Sequence, residues 1–110
     1  MTFNEYQALA ARTINKELTA DESTRHALFT SCAELGEVHS LFQKKYQGHK
    51  IDREHLVKEI GDVFWALAEL CTMCGIEMDE VANTNIKKLS ARYPNGFEAE
   101  RSLHRAEGDI

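Results

Sequence analysis

Four carboxylates fall into two pairs, Glu34 with Glu37 in "ELGE" and Glu59 with Asp62 in "EIGD". Members of each pair are three residues apart, which makes them neighbours on a helix surface. A helical hairpin that aligns the two motifs places all four acids around one point. Like charges that close raise one another's pKa unless a cation sits among them. Hard oxygen donors without a matched histidine favour Mg²⁺, with Mn²⁺ as a substitute, over zinc. Neither motif has histidine three residues after its glutamate, so a di-iron bundle fits poorly. Each motif also carries a glycine, Gly36 or Gly61, at a cost of roughly 1 kcal/mol against alanine inside a helix. The expected return is room beside the acids for close approach of a helix or a ligand. The competing reading is that both pairs are solvated helix faces.

Four helices are predicted to position these residues, and no segment alternates as a strand. The first covers about Asn4 to Leu18, where Tyr6, Leu9, Ala10 and Ile14 recur at helical spacing. The second opens at Asp21 or Ser23 and runs to Gln47, ahead of Gly48. Its Leu28, Cys32, Leu35, Val38, Phe42 and Tyr46 form one apolar stripe. The third begins at the N-cap Asp52 and ends at Gly75, with Val57, Ile60, Phe64, Leu67, Cys71 and Cys74 as its stripe. Glu59 and Asp62 flank that stripe. The short "GHKI" connection makes helices two and three an antiparallel hairpin. A fourth helix spans Met78 to Arg92 and stops before "YPNG", since proline disfavours helix at the preceding residue. The fold class is all-α, a four-helix bundle over residues 1–97 followed by a polar tail, 98–110, that is partly disordered.

The rest of the composition narrows the function. A formal charge of −5 argues against binding a nucleic-acid polymer, which needs a basic face. Between Ile51 and Glu80 eight acids face two bases, whereas between Lys87 and Arg105 five bases face two acids. Such a division suits a ligand made of a cation and an anion. No run of about 20 apolar residues and no signal-peptide pattern occurs, so no membrane role is expected. Three cysteines, an odd number, suit a reducing cytoplasm, and "CTMC" is read as core packing. Trp65 is likewise read as core, and the five histidines as surface residues pairing with neither acidic motif.

The order Glu-x-x-Glu, spacer, Glu-x-x-Asp resembles the MazG-like all-α nucleoside triphosphate pyrophosphohydrolases. The similarity runs from "EYQALAARTI" through "NIKKLSARYPNGF" and is most specific in "ELGEVHSLFQ" and "EIGDV". It implies hydrolysis of a nucleotide between its α and β phosphates, to a monophosphate and pyrophosphate. It also implies that Glu34, Glu37, Glu59 and Asp62 hold Mg²⁺ in a homodimer or homotetramer. Glu37 is the expected general base. Asn85, Lys88 and Arg92, at steps of three and four on helix four, are the expected phosphate partners.

Two departures bear on substrate and metal. Ala33 stands where many relatives double the first glutamate, which leaves one ligand fewer. Lys44 follows "LFQ" where relatives preferring deoxycytidine triphosphate carry tryptophan, so cytosine preference is unsupported. Alternative readings keep the fold but take phosphoribosyl-ATP or a deoxyuridine nucleotide as substrate, or make the chain a non-catalytic helical dimerisation module.

Overall fold

The computed structural model describes residues 1–110. Five helices follow one another: α1 (Phe3–Ala11), α2 (Ala20–Tyr46), α3 (Arg53–Met73), α4 (Met78–Arg92) and α5 (Ala99–Leu103). The all-α expectation holds, with several boundaries moved for identifiable reasons.

The long helix α2 starts earlier than predicted, at Thr19 rather than Asp21 or Ser23. Thr19 and Glu22 form a reciprocal capping box: Glu22 N–H donates to Thr19 Oγ1 and Thr19 N–H to Glu22 Oε1, each at 3.1 Å. That bonding holds the Glu22 carboxyl below its ordinary value. Both ends of the hairpin arms close alike. Gly48 (φ 102°) and Gly75 (φ 66°) take the left-handed conformation. His49 N–H then reaches Lys44 O and Gly48 N–H reaches Lys45 O, just as Ile76 N–H reaches Cys71 O and Gly75 N–H reaches Thr72 O, so each arm ends in the paired bonds of a Schellman stop. At α3, Asp52 caps as predicted, accepting from Glu54 N–H.

Helix α1 ends at Ala11 rather than Leu18, and its side chains then cap another helix. Gln7 Oε1 accepts from Met78 N–H at 2.8 Å and Asn4 Oδ1 from Asp79 N–H at 2.9 Å. These two bonds satisfy N–H groups that α4 cannot satisfy itself, because its N-cap Glu77 makes no side-chain capping bond to its own helix. The 98–110 segment, expected to be partly disordered, contains α5.

Packing departs furthest from expectation. α2 and α3 do form the antiparallel hairpin, with α1 laid against α3 and α4 against α1. The buried residues are small or polar: Ala10, Ser23, Ala27, Ala66, Ala68 and Glu69. The stripes predicted as core mostly face outward. Leu28, Leu35, Phe42, Tyr46, Val57, Ile60, Phe64 and Leu67 are all exposed. Periodicity located one apolar stripe on each helix correctly but could not tell which neighbour it faces. The protomer is consequently open, with a radius of gyration of 17.2 Å where a compact chain of this length has about 13 Å.

Candidate active site

Small residues at Ser23 and Ala27 on α2, and at Ala66 on α3, let the two helices approach along a narrow seam. Polar pairs along that seam fix its register: His26 meets Glu69 at one level and Glu34 meets Glu59 and Asp62 at the other. Asp62 and Glu69 lie seven residues apart on α3, so the two levels are separated by about 10 Å along the axis.

At the second level, oxygens of Glu34, Glu59 and Asp62 lie within 4.8 Å of one another. Glu34 and Glu59 are half-buried and Asp62 is exposed. Burial pushes the Glu34 carboxyl above its ordinary value, and the charges of Asp62, Glu59 and Glu37 push it the same way. A cation placed among the three would reverse that repulsion, so the donor set fits a hard divalent metal. Glu37, the fourth acid, is exposed and outside the trio, though its charge is felt at Glu34.

Two neighbours of the acids were not anticipated. His55 Nε2 lies 2.9 Å from Glu59 Oε1, one turn along α3. The expectation that no histidine pairs with an acidic motif is therefore corrected. The signal was in the sequence as a histidine four residues before Glu59. Tyr6 of α1 packs edge-on against Phe64 with centroids 6.2 Å apart. Burial first, and the Asp62 charge second, raise its phenol above the ordinary value, so it remains a hydroxyl donor near the acids.

The glycines do not act within the protomer as anticipated. A Cβ added at Gly36 or Gly61 would meet nothing within 4 Å. No helix of this chain needs the space they leave.

The other level of the seam is structural in kind. Glu69 is 1% exposed and accepts at 2.8 Å from His26 Nδ1, while its Oε2 has no partner. Trp65 stands edge-on to His26 and donates its indole N–H to Thr13 Oγ1 at 2.7 Å. It is thus half-buried and hydrogen-bonded. Cys71, half-buried, has a thiol pushed up by burial and then by Cys74, which leaves it protonated.

The expected phosphate partners diverge along α4. Asn85 and Lys88 border one shallow depression with Thr84 and Glu80. Asn85 also borders an apolar groove with Phe64, Leu67 and Val81. Arg92 turns to the C-terminal segment, where both its Nε and Nη2 donate to Asp109 at 2.7 Å.

An acidic trio contributed by both arms of a helical hairpin gives this all-α protein a cluster of carboxylates that could hold a metal ion. The family model for the MazG nucleotide pyrophosphohydrolase domain matches residues 21–97, well over half of the chain, and the chain belongs to that family. No curated protein and no solved structure matches it. The matched span runs from the first turn of α2 through α4, and so includes every carboxylate of the trio. No helix is long and apolar enough to cross a membrane.

Proposed function

We propose that the seam between α2 and α3 is the active site of a Mg²⁺-dependent enzyme that hydrolyses a nucleoside or deoxynucleoside triphosphate between its α and β phosphates. The products are the nucleoside monophosphate and pyrophosphate. The observation that carries this reading is the convergence of Glu34, Glu59 and Asp62 from both arms of the hairpin. Mg²⁺ held there would neutralise phosphate charge and make a bound water more acidic.

The chain's own residues take the remaining roles. Glu37, outside the trio yet one turn from Glu34, is free to accept a proton from the attacking water. His55 fixes one oxygen of Glu59 and so limits how that carboxylate turns. Asn85 and Lys88 supply an amide donor and a point charge to the phosphates, and Arg92 a planar fork. The exposed stripes of α2 and α3 are the surfaces on which a second copy would pack, giving a homodimer or homotetramer.

The test is product analysis after incubation with each common NTP and dNTP plus Mg²⁺. Monophosphate with pyrophosphate is expected, and Glu34→Gln should lower kcat/KM by about a thousandfold or more. The panel also separates a general triphosphate substrate from a deoxyuridine nucleotide or phosphoribosyl-ATP. Diphosphate with phosphate would overturn the assignment of the attacked phosphorus. An absence of turnover on every nucleotide, with melting temperature indifferent to Mg²⁺, would leave a helical dimerisation module instead.

A further inference from the structure

The proposed phosphate partners Lys88 and Arg92 line a charged cavity built from the end of α4 and the segment that follows it. This cavity has a volume of about 550 Å³ and is lined by Lys88, Arg92, Arg101, His104 and Asp109, among others. Gly96 (φ 88°) turns the chain after Pro94, and Gly108 (φ 84°) turns it again just before Asp109. The second turn brings Asp109 onto the Arg92 guanidinium.

The contact is a two-point clamp. Arg92 Nε and Nη2 donate at 2.7 Å to the two oxygens of Asp109, and the side chains are only 10% and 15% exposed. Such a planar fork accommodates a carboxylate and a phosphate in the same way. Around it the cationic groups are incompletely matched. Arg101 reaches Glu98 only at 3.5 Å, while Lys88 pairs with no carboxylate. The Asp109 carboxyl is held below its ordinary value by the Arg92 bond first, and Arg105 and Lys88 act in the same direction. The cavity is also far larger than the one carboxylate it holds.

We propose that Lys88 and Arg92 form a polyphosphate-binding site in which Asp109 is a built-in competitor, so that the C-terminal segment restrains binding at the site. The inference rests on the assignment of Lys88 and Arg92 as phosphate partners made above, and adds its regulation. A pyrophosphate group brings more oxygens and more charge than Asp109 and displaces it as concentration rises.

The test titrates inorganic pyrophosphate into the full chain by calorimetry in metal-free buffer, comparing wild type, Asp109→Asn and Arg92→Ala/Asp109→Asn. Removing the competing charge should tighten binding about tenfold, the difference between a charged and a neutral hydrogen-bond partner. The double variant should lose that gain. Fraying of the segment in Asp109→Asn does not blur the readout, because the site then stands open and binding should still tighten. Unchanged or weaker binding in Asp109→Asn would make the pair a structural anchor and overturn the proposal, as would an absence of pyrophosphate binding in both proteins. Nucleotide turnover plays no part in this titration. A chain that hydrolyses nothing but binds pyrophosphate as expected would refute the catalytic reading alone.

Discussion

The seam between α2 and α3 and the outward faces of the same two helices are built from opposite materials. The seam contains Ser23, Ala27, Ala66 and Glu69, all buried, and the acidic trio. The other faces carry Leu28, Leu35, Phe42, Val57, Ile60, Phe64 and Leu67, which stay about half-exposed even where Phe64 meets Phe3 and Tyr6 of α1. Small residues allow the close helix approach that converging carboxylates need, whereas large apolar residues in the same seam would hold the acids apart. The large side chains are then free for a different surface. Burial of a full leucine or phenylalanine is worth about 1.5–3 kcal/mol, so seven such residues left about half-exposed keep a share of that stabilisation in reserve.

That contrast breaks first at the outward face. Leu35→Glu combined with Leu67→Glu puts two charges where a second copy would pack, at a cost of about 3 kcal/mol or more on association. Sedimentation at micromolar concentration is expected to show an oligomer for wild type and a monomer for the double variant. A wild-type monomer would mean that the stripe covers itself by some other means. The seam lies inside the hairpin, so the helical content of the variant should survive.

The seam has its own weak point at His26. His26→Ala leaves Glu69 buried with neither oxygen bonded, and about 2–3 kcal/mol of stability should disappear. Replacing Glu69 with leucine in the same chain should restore much of it, since an apolar pair asks for no partner. Denaturant unfolding of the two single variants and the double variant measures the coupling. Additive losses would show that the contact contributes nothing of its own.

The sequence told much about the elements and little about their facing. The acids at 34, 59 and 62 were legible because their spacing and the short connection at Gly48 leave few ways to arrange a hairpin. Which stripe turned inward was not legible, because helical periodicity marks an apolar face without naming its neighbour. The start of α2 was misplaced although "TADE" carries a capping box, since Asp21 and Ser23 compete with Thr19 as caps. His55 was overlooked as a partner of Glu59 despite its four-residue spacing. The clamp of Arg92 on Asp109 spans seventeen residues and depends on turns at Gly96 and Gly108, so no local pattern announces it.

The glycines of the two motifs sharpen the comparison further. Since nothing in the protomer approaches Gly36 or Gly61, alanine at either should stabilise the isolated fold by up to about 1 kcal/mol through helix propensity alone. If these positions lie against substrate or a second copy, the same variants should lose activity or association while melting higher. Equal activity with higher stability would show that the glycines serve no contact.

An effect of comparable size belongs to the start of α2. Thr19→Ala removes the Oγ1 that accepts from Glu22 N–H and should cost about 1 kcal/mol, well under the His26 change because the cap is exposed to water. Its pH dependence has a definite sign. The Glu22 carboxyl is held low in the folded chain, chiefly by its bond to the Thr19 backbone N–H and then by Thr19 Oγ1. The stability it contributes is fully present above its unfolded pKa, the ordinary glutamate value, and is lost as pH falls through the lowered folded value. Thr19→Ala should narrow that loss without abolishing it, because Glu22 keeps its bond to the backbone. Glu22→Gln should flatten this part of the acid profile altogether, so unfolding curves from neutral to acid pH for the two variants separate the hydroxyl's share of the capping box from the carboxylate's.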